Sequence, residues 1–194
     1  MKMKLIVFAF VLFFIALLSI VLKVENSPQL RLKKSEKLID AFYSFAPKKL
    51  NYQLLNAPAS KPQIVFYQGW AKGGNYQIVK RMPCIENELE MISCSITVKD
   101  DLMKALDIPF DVTDTFHLTF KEGVLSKVKT SSNDLQVFLD AEKWVWSTHP
   151  EWVKEVCKGY FDGGPTPGEC VKAMVKGYAE FAKSEDFPEK VVIK

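Results

Sequence analysis

Several signatures of common chemistry are missing from this sequence. Its four cysteines, Cys84, Cys94, Cys157 and Cys170, include no C-x-x-C, which removes a thioredoxin-like redox centre. No two of them stand two to four residues apart, so the usual clustered zinc site lacks its ligands, although four thiols would suffice in number. The stretch GGPTPGEC, residues 163–170, has the G-x-x-x-x-G spacing of a nucleotide loop, but Glu169 and Cys170 stand where a P-loop carries Lys and Ser or Thr. Without that lysine no cation meets the β- and γ-phosphates, and Glu169 adds a repelling carboxylate. An excess of one charge is also missing: 26 Lys and Arg against 23 Asp and Glu give +3, and setting aside Lys2 and Lys4 leaves a body close to +1. That balance carries no footprint of a nucleic-acid or acidic partner. There is no internal repeat and no low-complexity tract, so 194 residues with 48% hydrophobic and 25% charged content predict one globular core with accessories. Neither a metal nor a cofactor is expected.

What the chain has in excess is apolar length at its start. Lys2 and Lys4 precede an uninterrupted run from Leu5 to Leu22, closed by Lys23. A basic n-region with an apolar h-region serves both a cleaved signal peptide and an uncleaved anchor. The run is 18 residues long with no A-x-A-like triplet after it, which favours the anchor. No cysteine follows the run, which argues against a lipoprotein. Lys23, Arg31, Lys33, Lys34 and Lys37 after the run would by charge alone hold the body in the cytoplasm. The two close cysteine pairs instead point to an oxidising compartment, with the N-terminus inside and the domain outside. A single-pass inner-membrane protein is therefore expected, the alternative being secretion after signal cleavage.

Beyond a polar tether ending near Leu32, Leu38, Ile39, Phe42, Tyr43 and Phe45 share one helical face stopped before Pro47. A short helix over 48–55 and a third from Pro62, ended by Gly73 and Gly74, follow. The period then changes to two. Tyr76 to Cys84 and Ile92 to Val98 predict two strands, and Cys84 and Cys94 lie equidistant from Leu89, so a hairpin would set them opposite one another for a cross-strand disulfide. Residues 111–120 and 124–129 predict two more strands around Lys121-Glu122-Gly123, giving an antiparallel sheet. Helical periodicity returns from Leu135 and again from Pro150 through Trp152, Cys157 and Phe161. Thr166 and Glu169 fit a capping box with Pro167 at the first helical position, so the glycine turn is expected to start a last helix. A Cys157–Cys170 disulfide would pin it to the helix before it.

The residues 38–45 (LIDAFYSF), 66–71 (FYQGWA) and 114–125 (DTFHLTFKEGVL), in that order of helices and strands, resemble the nuclear transport factor 2 superfamily, in particular its SnoaL-like bacterial branch. The resemblance implies an α+β cone over residues 35–132, in which helices pack on a curved antiparallel sheet around a pocket. The remaining divisions are a membrane anchor or signal segment (1–23), a tether (24–34), a disulfide-pinned helical extension (133–184) and a tail (185–194).

Known members of that superfamily include cyclases and isomerases that use an Asp, or an Asp and His pair, for acid and base work. Here the nearest candidates are Asp114 and His117, but three residues apart on a strand they point to opposite faces. Asp114 shares its face with Phe116, Leu118 and Phe120; at the rim of an apolar cone its pKa would rise as a general base requires. The competing reading is an Asp that ends a strand and bonds a turn N–H. His117 is expected on the outer face, and His149, before Pro150, as a helix cap. Tyr67, Trp70, Tyr76 and Phe116 are the candidate pocket lining, for which core packing is the alternative. The function expected is a membrane-tethered module that binds a small hydrophobic ligand or a protein without catalysis. The alternatives are a cyclase- or isomerase-type enzyme with Asp114 as base, and a homodimer formed through the sheet.

Overall fold

Ser27 and Pro28 open the first helix. The serine hydroxyl accepts from the Leu30 amide, and proline takes the first turn, where a missing N–H costs nothing. The computed structural model describes residues 27–158, 167–191 and 193. The apolar run 5–22 and the Gly163–Thr166 half of the glycine turn, with Tyr160 and Phe161, lie outside the described residues. Among the described residues no helix is long and apolar enough to cross a membrane.

Helix α1 (Pro28–Tyr43) begins within the stretch 24–34 expected to be a tether. Its first buried positions are Arg31 and Ser35, which continue the stripe of Leu38, Ile39 and Phe42 one helical turn at a time but are invisible to hydropathy. Arg31, 2% exposed, reaches Glu86 Oε1 through Nε at 3.0 Å and Nη2 at 2.6 Å, so part of the expected tether is a buried anchor point. Helices α2 (Pro47–Gln53) and α3 (Lys61–Gly73) follow, each with proline in its first turn.

Strands β1 (Gln77–Arg81) and β2 (Ile85–Glu88) both pair antiparallel with β3 (Met91–Lys99), one after the other along the same edge. Cys84 bridges to Cys94 at the break between them, with Cα atoms 4.3 Å apart, as the equidistance from Leu89 predicts. A short helix α4 (Asp101–Ala105) leads to β4 (Val112–Lys121) and β5 (Val124–Ser132). The sheet order is β1-β3-β4-β5, with β2 beside β1 on β3, all antiparallel. The fold is thus α+β, with an open five-stranded antiparallel sheet.

The alternation read from sequence separates the two sheet faces. Ile92, Cys94, Ile96 and Val98 of β3 and Val112, Phe116, Leu118 and Phe120 of β4 are buried inward. Outward stand hydroxyls that bond across the ladder, Ser95 with Thr115 at 3.0 Å and Thr97 with Thr113 at 2.9 Å. At the centre of the core Phe116 meets Phe42 of α1 edge-on at 4.8 Å and stacks on Tyr67 of α3 at 6.2 Å.

Helix α5 (Gln136–Thr148) leads into α6 (Pro150–Val153), which is shorter than its periodicity predicts because the backbone passes into turns after Val153. Helix α7 (Pro167–Phe181) packs on α3, α4 and α5 and is bridged at its start by Cys170 to Cys157. The approach is close: a Cβ on Gly73 would sit 2.4 Å from Val171 Cγ1, and one on Gly177 would sit 2.3 Å from Val145 Cγ2. Glu169 accepts from Lys172 Nζ at 2.8 Å; the expected capping box with Thr166 lies outside the described residues.

Candidate functional site

The inward face of β4 carries one charged residue. Asp114 is 1% exposed, between Ile96 of β3 and Ser132 of β5 in register. The same alternation that buries Phe116 and Leu118 buries this carboxylate, so its position follows from strand parity. His117 takes the opposite face, as parity requires, and its Nε2 lies 2.8 Å from Ser131 Oγ. The two never meet as an acid and base pair.

Asp114 opens into a cleft of about 280 Å³. Helix α3 supplies one wall with Tyr67 and Trp70, whose i, i+3 spacing sets both rings on the same side. Tyr76, just ahead of β1, meets Tyr67 edge-on at 6.4 Å. Four of the five residues singled out in the sequence, Tyr67, Trp70, Tyr76 and Asp114, therefore line one cleft. Phe116 stands a layer deeper, supporting the Tyr67 ring from beneath.

The other wall comes from chain that sequence reading assigned to the extension. Phe138, Leu139 and Glu142 of α5 face the cleft, with Asp134 and the hydroxyl-bearing end of β5 at its floor. The signal was present in the i, i+1, i+4 spacing of an aromatic, an aliphatic and an acid, a mixed face that a purely apolar stripe would not show.

Burial pushes the Asp114 carboxyl up to about 6. The Tyr67 hydroxyl opposes this as a donor toward the carboxylate, while the carboxylates of Asp134 and Asp100 push further upward. Tyr43 of α1 also faces Asp114, yet its hydroxyl and Asp114 Oδ2 are both buried with no hydrogen-bond partner at normal geometry. Burial likewise raises Tyr43, Tyr67 and Tyr76 well above the ordinary phenol value, and the nearby carboxylate adds to each. These phenols stay neutral donors across the physiological range. Asp114 is not the turn-bonding strand terminus of the competing reading. Asn133 does that work, accepting from the Thr113 amide at 2.6 Å.

Larger hollows elsewhere lack this combination, as two of them illustrate. One of about 660 Å³ beside α4 is lined by Lys99 and Lys104 together with Asp101, Asp107 and Asp111. Its buried acid, Asp100, is raised to about 6 by burial and caps α4 by accepting from the Met103 amide at 2.8 Å. The other, about 470 Å³ between α2 and α3 and bounded by Pro167, is largely apolar and carries no acidic side chain. His149 sits at the start of α6 without a capping bond from its side chain, and stacks its ring on Trp152 at 3.7 Å. Among the described residues no group of three or more His, Cys, Asp or Glu side chains is placed to hold a metal ion, and all four cysteines are in disulfides.

No protein-family model matches the chain, and neither a curated protein nor a solved structure matches it.

Proposed function

We propose that this chain is a membrane-tethered domain on the oxidising side of a membrane, folded as a cone of the nuclear transport factor 2 type, that holds a small molecule without transforming it. The observation that carries this reading is the buried Asp114 carboxylate opening into a cleft walled by Tyr67, Trp70 and Tyr76. Helices on one face of an open antiparallel sheet, with the cleft between them, support the cone. Two disulfides and the apolar run 5–22 support the tether and the compartment. A binding role fits better than catalysis because the titrating groups that act on Asp114, namely Asp134 and Asp100, are carboxyls of like charge, and among the described residues no His or Lys lines the cleft as an acid and base partner.

The second reading is a cyclase- or isomerase-type enzyme with Asp114 as general base, favoured by a carboxyl raised to about 6 beside neutral phenol donors. Asp114→Asn separates the two. Small molecules extracted from the denatured protein would be identified for the wild type and the variant, and offered back to each. A binding module returns its ligand unchanged from both proteins; conversion by the wild type alone establishes the enzyme.

A homodimer is a further element of the proposal. It is better supported at the β1–β2 edge, where Ile78, Val79, Met82 and Ile85 are exposed, than across the hydroxyl-lined sheet face. Sedimentation of the full chain as a monomer at high concentration excludes it.

A further inference from the structure

We infer that the cleft over Asp114 takes a small organic ammonium ion, its charge set against the Asp114 carboxylate and its alkyl groups against the rings of Tyr67, Trp70 and Phe138. This deepens the small-molecule reading above and rests on it. Three observations carry it. Asp114 is 1% exposed and lines the cleft, its Oδ2 lies outside hydrogen-bond geometry, and the groups that face its carboxylate as donors are the neutral hydroxyls of Tyr67 and Tyr43, so a buried negative charge borders the cleft without a cation beside it in the lining. Five aromatic rings, those of Phe66, Tyr67, Trp70, Tyr76 and Phe138, line the same space, and their faces attract a cation. Finally, the lining carries the carboxyls of Asp114 and Asp134, and among the described residues it holds no Lys, Arg or His.

This field repels anions, and a neutral apolar molecule would leave the buried charge unbalanced. A monovalent ammonium ion balances the charge, and about 280 Å³ restricts it to a compact head group. The groups facing Asp114 are Tyr43 from α1, Tyr67 from α3, Tyr76 ahead of β1, Asp100 ahead of α4 and Asp134 after β5. The phenols stay neutral, so the carboxyls alone set the pH response. Arg81, which acts on Tyr43, is itself held by Glu36 and by Asp40.

The test is calorimetric titration of the full chain in mild detergent with choline, tetramethylammonium and butylammonium, each against the neutral isostere with carbon in place of nitrogen. At least one cation is expected to bind at least tenfold more tightly than its isostere. Its affinity should weaken as pH falls below about 6 and the Asp114 carboxyl takes up a proton. Asp114→Asn should cost at least tenfold with the thermal midpoint not lowered, and Trp70→Leu should cost several-fold while leaving the charge in place. If the isosteres bind as well as the cations, the ammonium inference is overturned while the small-molecule reading stands. Failure of every probe to bind the folded wild type overturns the inference, and a bare native mass would then remove the broader reading separately.

Discussion

Asp114 occupies a position that a carboxylate resists, buried on an inward strand face with one oxygen unmet. The stability consequence has a definite sign. Because its folded pKa, about 6, lies above the ordinary value of 3.8, the folded state holds the proton more tightly than the unfolded chain does. Stability from this residue is therefore full below about pH 4, declines as pH rises toward about 6, and stays reduced above that. A shift of this size amounts to about 3 kcal/mol. Urea denaturation of Asp114→Asn should thus match the wild type at pH 4 and exceed it by up to about 3 kcal/mol at pH 7. A variant less stable than the wild type at pH 7 would mean that the Tyr67 and Tyr43 hydroxyls stabilise the carboxylate by more than its burial costs. At this scale strand parity made Asp114 legible, and likewise its separation from His117. Tyr43 and Asp134 were not, because a hydroxyl crossing from a helix and a loop acid belong to no period.

Helix α7 fixes the C-terminal elements through contacts that no hydropathy stripe reveals. Gly73 of α3 and Gly177 of α7 are points where backbones or branched side chains approach too closely for a Cβ. Gly73→Ala would drive its methyl against Val171 and the Gly168 backbone, a cost of about 1–3 kcal/mol from overpacking, offset in part by the better helix propensity of alanine. Chemical denaturation should show a net loss; a gain would mean that α7 shifts freely on α3. The Cys157–Cys170 bridge closes a sequence separation of 13, and removing it by paired alanines should cost about 3 kcal/mol on chain-entropy grounds. Reduction by dithiothreitol, which opens both bridges, should lower the unfolding free energy by at least that amount. The existence and type of most elements could be read from period and punctuation, and the Cys84–Cys94 pairing from register; strand β2 (Ile85–Glu88) could not, since it lies in the loop expected between the first two strands. The start of α1 could not, since Arg31 and Ser35 are polar residues on a buried face, kept there by the Glu86 ion pair and a backbone hydrogen bond.

At the scale of the whole molecule, the cleft is assembled from segments far apart along the described chain: α3 and β4 supply rings and the acid, and α5 closes the opposite wall. Sequence order suggested a cone followed by an appendage, because α5 follows the sheet and contact between distant segments leaves no mark in a local pattern. The disulfides make a compartment-level prediction: thiol alkylation of unreduced protein from the cell envelope should modify none of the four cysteines, and four reactive thiols would remove the extracytoplasmic placement. The measurement that bears most directly on the small-molecule reading is native mass spectrometry of the full chain, purified in detergent from its own membrane fraction without denaturant. The account predicts a protein lighter than the reduced chain by two hydrogens for each disulfide and carrying a small-molecule adduct that Asp114→Asn diminishes or loses. A bare mass for the wild type, under conditions that keep the fold intact, would contradict it and direct attention to protein partners at the membrane.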